Sequence, residues 1–309
     1  MNSISPYTIR CFNPAAGKKK VEDNYSPLGK IGQFDAYKIL KDYLEPKMKK
    51  YQIVPGSNQI YCFHGFKFND ERRQFAGYLQ AGAYGTKTDI INIKTGKIDF
   101  KKAQDNAEMI NHYVRFYVPK DLNEGVALLH NYKNVGVKTL LYSILGAEFG
   151  RVTGRVLQMN PLAYGKAYSE WEKAAAKEIK LVRFKGMANY EDQIANLGHS
   201  EQELIIKSTR KNKLGQLSDY YTAGTKQREA IEMLSPLCAE IKTVVELGGK
   251  KRTFRIGANP NQQVCEIELD ESEVPVVAGN PDPDSLHKWC GSLLREFVES
   301  IYPGMGIKP

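Results

Sequence analysis

The chain reads as an α+β protein, with mixed or antiparallel sheets and flanking helices arranged in two domains. Three observations predict this. Runs of period-two alternation lie beside runs of helical spacing, Gly, Pro and Asn punctuate both, and the two kinds mix without a regular βαβ order. With 309 residues and roughly 100–200 residues per domain, the expected division is an N-terminal α+β domain over 1–186. A basic β-meander with a C-terminal helix follows over 187–309.

The elements follow in order. Tyr7 to Phe12 alternates until Asn13-Pro14 stops it, and a basic loop runs on to Gly32. Phe34, Tyr37, Ile39, Leu40 and Tyr43/Leu44 recur at helical spacing and end before Pro46. Asn58–Phe68 and Gln74–Gln80 read as neighbouring strands turned at Asn69-Asp70. Gly82, Gly85 and Gly96 mark a loop-rich segment with a short β-like run at Ile90–Ile93. Tyr113–Val118 and Val126–Leu129 form a central strand pair, and a helix carrying Val137, Leu140, Leu141, Ile144 and Leu145 closes at Gly146 or Gly150.

Further on, Gly154–Met159 is a strand, Tyr168–Ala176 a helix and Glu178–Phe184 a strand. Gly186–Gly198 is a linker or holds a short helix. Glu203–Ser208 is a strand and Lys226–Leu234 a helix. Ile241–Leu247 and Arg252–Gly257 flank Gly248-Gly249-Lys250 as a hairpin, with Val264–Leu269 a third strand of that meander. Pro281 to Asp284 caps a last amphipathic helix through Ser300.

Hydrophobic residues make up 42% of the chain and aromatics 10%, too much for a disordered protein. No apolar stretch is long enough to span a bilayer, and Met1–Arg10 lacks the order of a signal peptide. The five cysteines, at 11, 62, 238, 265 and 290, have no short-range pairing, which predicts packing thiols in a reducing cytoplasm. Cys62, Cys238 and Cys265 lie in apolar-rich segments, where a thiol serves as a small hydrophobe.

Charge is the most informative property. The net charge is +9, and it is uneven. Residues 207–255 hold eleven Lys and Arg against five acids, and 1–50 hold ten against five, whereas 266–299 hold two against nine. A basic stripe beside an acidic tail suits a polyanion binder that limits its own non-specific adhesion. The candidate phosphate contacts are Lys18, Lys19 and Lys20 in the early loop; Lys207, Arg210, Lys211 and Lys213 around a turn; Lys226 and Arg228 at a helix start; and Lys250, Lys251, Arg252 and Arg255 on the hairpin. No base-reading helix or zinc finger is present in the pattern, so backbone-dominated, weakly sequence-selective binding is expected.

Catalytic signatures are weaker. Gly136-Val137-Lys138-Thr139 fails the spacing of a phosphate loop. The histidines at 64, 112, 130, 199 and 287 have no metal-ligand spacing, although His112 and His130 end the central strand pair and could meet there. Glu178-Ile179-Lys180 and Glu240-Ile241-Lys242, the second with Asp219 upstream, each put an acid and a lysine on one strand face. A metal-dependent nuclease is the alternative they leave open. An RNA- or protein-binding module is the other. No cofactor is expected.

The order of segments resembles the RexA-type prophage exclusion proteins, and more loosely the KwaB subunit of the Kiwa antiphage system. The landmarks are Tyr7–Lys20, Ser57-Asn58-Gln59-Ile60-Tyr61, Tyr113–Val118 with Gly125-Val126-Ala127, Val156–Leu162 and Trp289–Ile301, with apparent extra residues near 82–102. The resemblance implies a cytoplasmic, homodimeric sensor that binds double-stranded DNA and activates a separate membrane effector.

Overall fold

The computed structural model describes residues 2–17, 21–133, 135–162, 171–184, 203–209, 214–247, 250–256 and 266–304. It is an α+β fold with large antiparallel sheets. Two compact units emerge, one of Thr8–Met159 and one that joins Met1–Tyr7 to Asn160–Lys308. The division therefore falls at Met159/Asn160 and not at 186/187. Strand Ala175–Val182 explains the difference, because its pairing partners are Glu240–Leu247 and Glu203–Lys207, both later in the chain. The Gly186–Gly198 linker and its alternative helix lie outside the described residues.

In the Thr8–Met159 unit, the second half of β1 (Asn2–Phe12) pairs with β2 (Tyr25–Ser26). Helix α1 (Ala36–Leu44) starts where the Asp35 carboxylate accepts the N–H groups of Tyr37 (2.9 Å) and Lys38 (3.3 Å). It buries Ala36, Tyr37, Ile39, Leu40 and Leu44, and Pro46 converts its end to a 3-10 turn. Strands β3 (Gln52–Ile53), β4 (Gln59–Asn69) and β5 (Gln74–Ala83) follow. The chain next leaves the sheet as a separate hairpin, β6 (Thr88–Ile91) and β7 (Ile98–Lys102). It returns as β8 (Glu108–Tyr117) and β9 (Glu124–Tyr132). The order is β1-β9-β8-β5-β4-β3.

The core of this sheet is aromatic, with Phe75 stacked on Phe116 at 4.8 Å between centroids. Helix α2 (Lys138–Thr153) buries Leu141, Leu145 and Phe149. It runs through Gly146 and Gly150 and stops at Gly154, where φ is +65° and the N–H reaches the Gly150 carbonyl at 2.8 Å. A glycine ends a helix only where the backbone turns left-handed, and that occurs later than expected. Strand β10 (Val156–Pro161) then pairs with β1.

The second unit is a meander. Trp171–Lys173 is a single 3-10 turn and β11 (Ala175–Val182) begins at once, so the described part of the expected 168–176 helix is turn and strand. The alternation that buries Ala176, Ile179 and Leu181 prevails there. Strand β12 (Glu203–Lys207) and helix α3 (Lys226–Leu234), capped by the Thr225 hydroxyl, come next. They are followed by β13 (Glu240–Leu247), β14 (Lys250–Ile256) and β15 (Ile267–Glu268). The order is β12-β11-β13-β14-β15 and then the start of β1, antiparallel throughout. Helix α4 (Pro283–Ile301), capped by Asp282 on the Ser285 N–H, buries Leu286, Trp289, Leu293 and Phe297.

Cys62 is buried as expected and Cys238 half-buried, with burial raising both thiol pKa values, while Cys265 lies outside the described residues. Among the described residues no helix is long and apolar enough to cross a membrane.

Candidate nucleic-acid interface

The meander distributes the predicted cations unevenly. Residues directly opposite one another across a ladder share a face. By this rule Lys207, Lys180, Lys242, Lys251 and Arg255 lie on one face with Glu203, Glu178, Glu240 and Glu246. Glu266 and Glu268 join that face through ion pairs. Lys242 bonds Glu268 and lies 3.6 Å from Glu240, while Arg255 reaches Glu240 at 3.5 Å and Glu266 at 3.3 Å. Lys207 lies 3.6 Å from Glu178. Carboxylates on the same sheet therefore hold Lys207 and Arg255, two of the expected contacts.

Two predicted contacts point inward. Arg228 is only 1% exposed, with its Nε 2.8 Å from Glu232 one helical turn later. Arg252, 9% exposed, lies 4.7 Å from the Trp171 ring centroid and 2.6 Å from Glu296 of α4. Neither can reach a phosphate, because the alternation that turns Lys251 and Arg255 to one face turns Arg252 to the other, and Arg228 is on the buried side of α3. Lys226 and Lys251 are exposed. Lys250 opens β14 opposite Leu247. Lys18, Lys19, Lys20, Arg210, Lys211 and Lys213 lie outside the described residues.

The carboxylates of the acid–lysine pairs are engaged locally, Glu178 with Lys207 at 3.6 Å. Glu240 is held between Lys242 and Arg255, and Asp219 accepts the Gln216 N–H at 2.7 Å within its own 3-10 turn. Among the described residues no three His, Cys, Asp or Glu side chains are placed to hold a metal ion. His112 and His130 do meet, with ring centroids 6.1 Å apart and His112 Nδ1 3.0 Å from the His130 carbonyl oxygen. Both are buried. Burial lowers the pKa of each, that of His130 to about 4 with the help of the neighbouring His112.

A second group of cations was missed from sequence. The β6–β7 ribbon carries Lys87, Lys94, Lys97 and Lys101, all exposed, and none has an ion-pair partner among the described residues. Only Lys102 at its root is buried, 3.7 Å from Glu108. Residues 87–102 hold five lysines against Asp89 and Asp99. Asp89 faces Lys101 across the ladder, and Asp99 accepts from the Asn92 amide at 3.2 Å. A cleft of about 660 Å³ opens at the root, lined by Ile53, Ile60, Tyr84 and Lys87 among others.

A sequence signal for this ribbon exists. Ile90-Ile91-Asn92-Ile93 and Ile98-Asp99-Phe100 flank Lys94-Thr95-Gly96-Lys97, two β-runs around a glycine turn. No family model and no curated protein matches the chain.

Proposed function

We propose that the chain is a duplex-DNA-binding component of a phage-exclusion or antiviral defence system, a non-catalytic sensor that grips phosphates and reads little sequence. The observation that carries this reading is the β6–β7 ribbon, whose four exposed lysines have no ion-pair partner among the described residues. Cations held by carboxylates have already given up part of their attraction for phosphate, whereas these retain it. Each phosphate they neutralise releases counterions, which is the main source of non-specific affinity for DNA. The exposed Lys226 and Lys251 add to the same field.

The defence role, the cytoplasmic site, the homodimer and the separate membrane effector are supported by the resemblance to RexA-type proteins. The deciding experiment titrates the protein against labelled duplex DNA over a salt series, with and without magnesium, and checks the products on a gel. Salt-sensitive binding with intact DNA supports the sensor. No binding at low salt refutes it, and magnesium-dependent cleavage refutes its non-catalytic character.

A further inference from the structure

The ribbon is more than a row of lysines. Ile90, Ile91, Ile98 and Phe100 are all exposed, Phe100 by half, and Ile93 near the apex is 97% exposed. An isolated two-stranded hairpin is marginal in water and gains nothing by displaying five large apolar side chains. Its occupant must accept apolar groups and cations together.

The tip is also held in shape. The Asn92 side chain accepts the N–H groups of Lys94 (3.0 Å) and Thr95 (3.2 Å). Its backbone N–H donates to the Lys97 carbonyl at 2.8 Å, and its carbonyl accepts the Gly96 N–H at 2.8 Å. Gly96 sits at φ +69°, which lets the turn close. Ile93 is therefore presented on a pre-formed turn, with Lys94 beside it and Lys97 just ahead of the returning strand.

We propose that the Asn92–Lys97 tip enters the minor groove of duplex DNA, where Ile93 wedges between adjacent base pairs and Lys94 and Lys97 neutralise phosphates on the groove walls. This rests on the DNA-binding reading above and adds a mode, with bending as its consequence. Charge complementarity selects the occupant. Two copies meeting tip to tip would bring Lys94 and Lys97 against like charges. A lipid surface would be met best by a ribbon with one broad apolar face, whereas here a single apolar side chain leads and cations flank it. Apolar wedges of this kind unstack a base step and kink the duplex toward the major groove.

The test uses the full chain and a short duplex with a fluorophore at each end and a central TA step, which kinks easily. Wild type should raise energy transfer between the ends. Ile93→Ala should abolish that rise yet weaken binding only about threefold, because the smaller apolar burial and the avoided unstacking offset each other. Ile93→Leu should keep the bend, and Lys94→Glu with Lys97→Glu should weaken binding more than about tenfold. If wild type binds an unbent duplex, or Ile93→Ala bends it equally, the wedge is refuted and the DNA-binding reading stands. If wild type does not bind at low salt, that reading fails first. If Ile93→Ala leaves the duplex result unchanged but alters sedimentation, or adsorption to phosphatidylserine vesicles, the ribbon serves a protein or lipid partner and the wedge is wrong.

Discussion

The guanidinium of Arg252 lies 4.7 Å from the centroid of the Trp171 ring, in the interior of the meander unit. A residue expected to meet phosphate is thus part of the packing, with Glu296 of α4 completing its surroundings at 2.6 Å. Replacing it with glutamate puts a carboxylate in the buried position of the arginine, beside the half-buried Glu296, and removes an ion pair and a cation–π interaction together. Arg252→Glu should therefore cost about 3 kcal/mol or more, while Lys251→Gln, one residue away and exposed, should stay within about 0.5 kcal/mol. Urea unfolding of the two variants side by side checks this.

The ribbon lysines should dominate the salt dependence. Reversing Lys87, Lys94, Lys97 and Lys101 one at a time should flatten the plot of log affinity against log salt by about 0.9 for each phosphate that is no longer neutralised. Reversal of Lys207, already 3.6 Å from Glu178, should change that slope less. Fluorescence anisotropy at several salt concentrations reads both.

The His112–His130 pair should make the fold acid-sensitive. The folded-state pKa of His130 is lowered from 6.5 to about 4, so between those values the unfolded chain binds the extra proton. The stability is present above pH 6.5 and is lost as pH falls toward 4, by at most about 3 kcal/mol from this group. His130→Gln should flatten the stability profile across that window, measured by thermal melts at a series of pH values. An unchanged profile would show that the pair does not titrate on unfolding.

A second arginine also serves the fold. Arg73, in the turn between β4 and β5, meets Asp35 through bonds of 2.8 and 2.7 Å and donates from Nε to the Val118 carbonyl at 2.7 Å. Burial acts to raise the Asp35 pKa, but Arg73 and the α1 N–H groups outweigh it and the net shift is downward. Asp35→Ala removes both the cap and the ion pair and should cost about 2–4 kcal/mol. Asp35→Asn keeps the cap and should cost less. Denaturant melts of the two variants separate the contributions.

What could be read from the chain depended on whether a local pattern also fixed its surroundings. Helix α3 begins and ends where the sequence predicts, because Thr225 caps it and Ser235-Pro236 closes it, all within a few residues. The hairpin Glu240–Ile256 was legible for the same reason. The fate of its cations was not. Alternation puts Arg252 and Arg255 on opposite faces, but it does not say which face α4 covers, nor that Glu266 and Glu268 will arrive beside Arg255 and Lys242. The 3-10 turn at Trp171 was obscured by helix-compatible Ala174 to Ala176, which the sheet claims instead. The ribbon was half legible: the runs Ile90–Ile93 and Ile98–Phe100 around Gly96 mark a hairpin, but nothing local shows that both strands leave their large apolar side chains exposed.

The position of the ribbon in the chain has one more consequence. Ala83 and Glu108 are direct partners on β5 and β8, and everything between them lies outside that ladder. Gly82 matters at this junction, since a Cβ there would sit 2.1 Å from the Glu108 carbonyl oxygen. Folding of the sheet needs only that the two strand ends be joined, and a tight turn would join them at lower entropic cost than the long excursion does. The excursion is thus not needed to close the sheet, and a chain shortened to a tight turn between Ala83 and Glu108 should keep the scaffold beneath it folded.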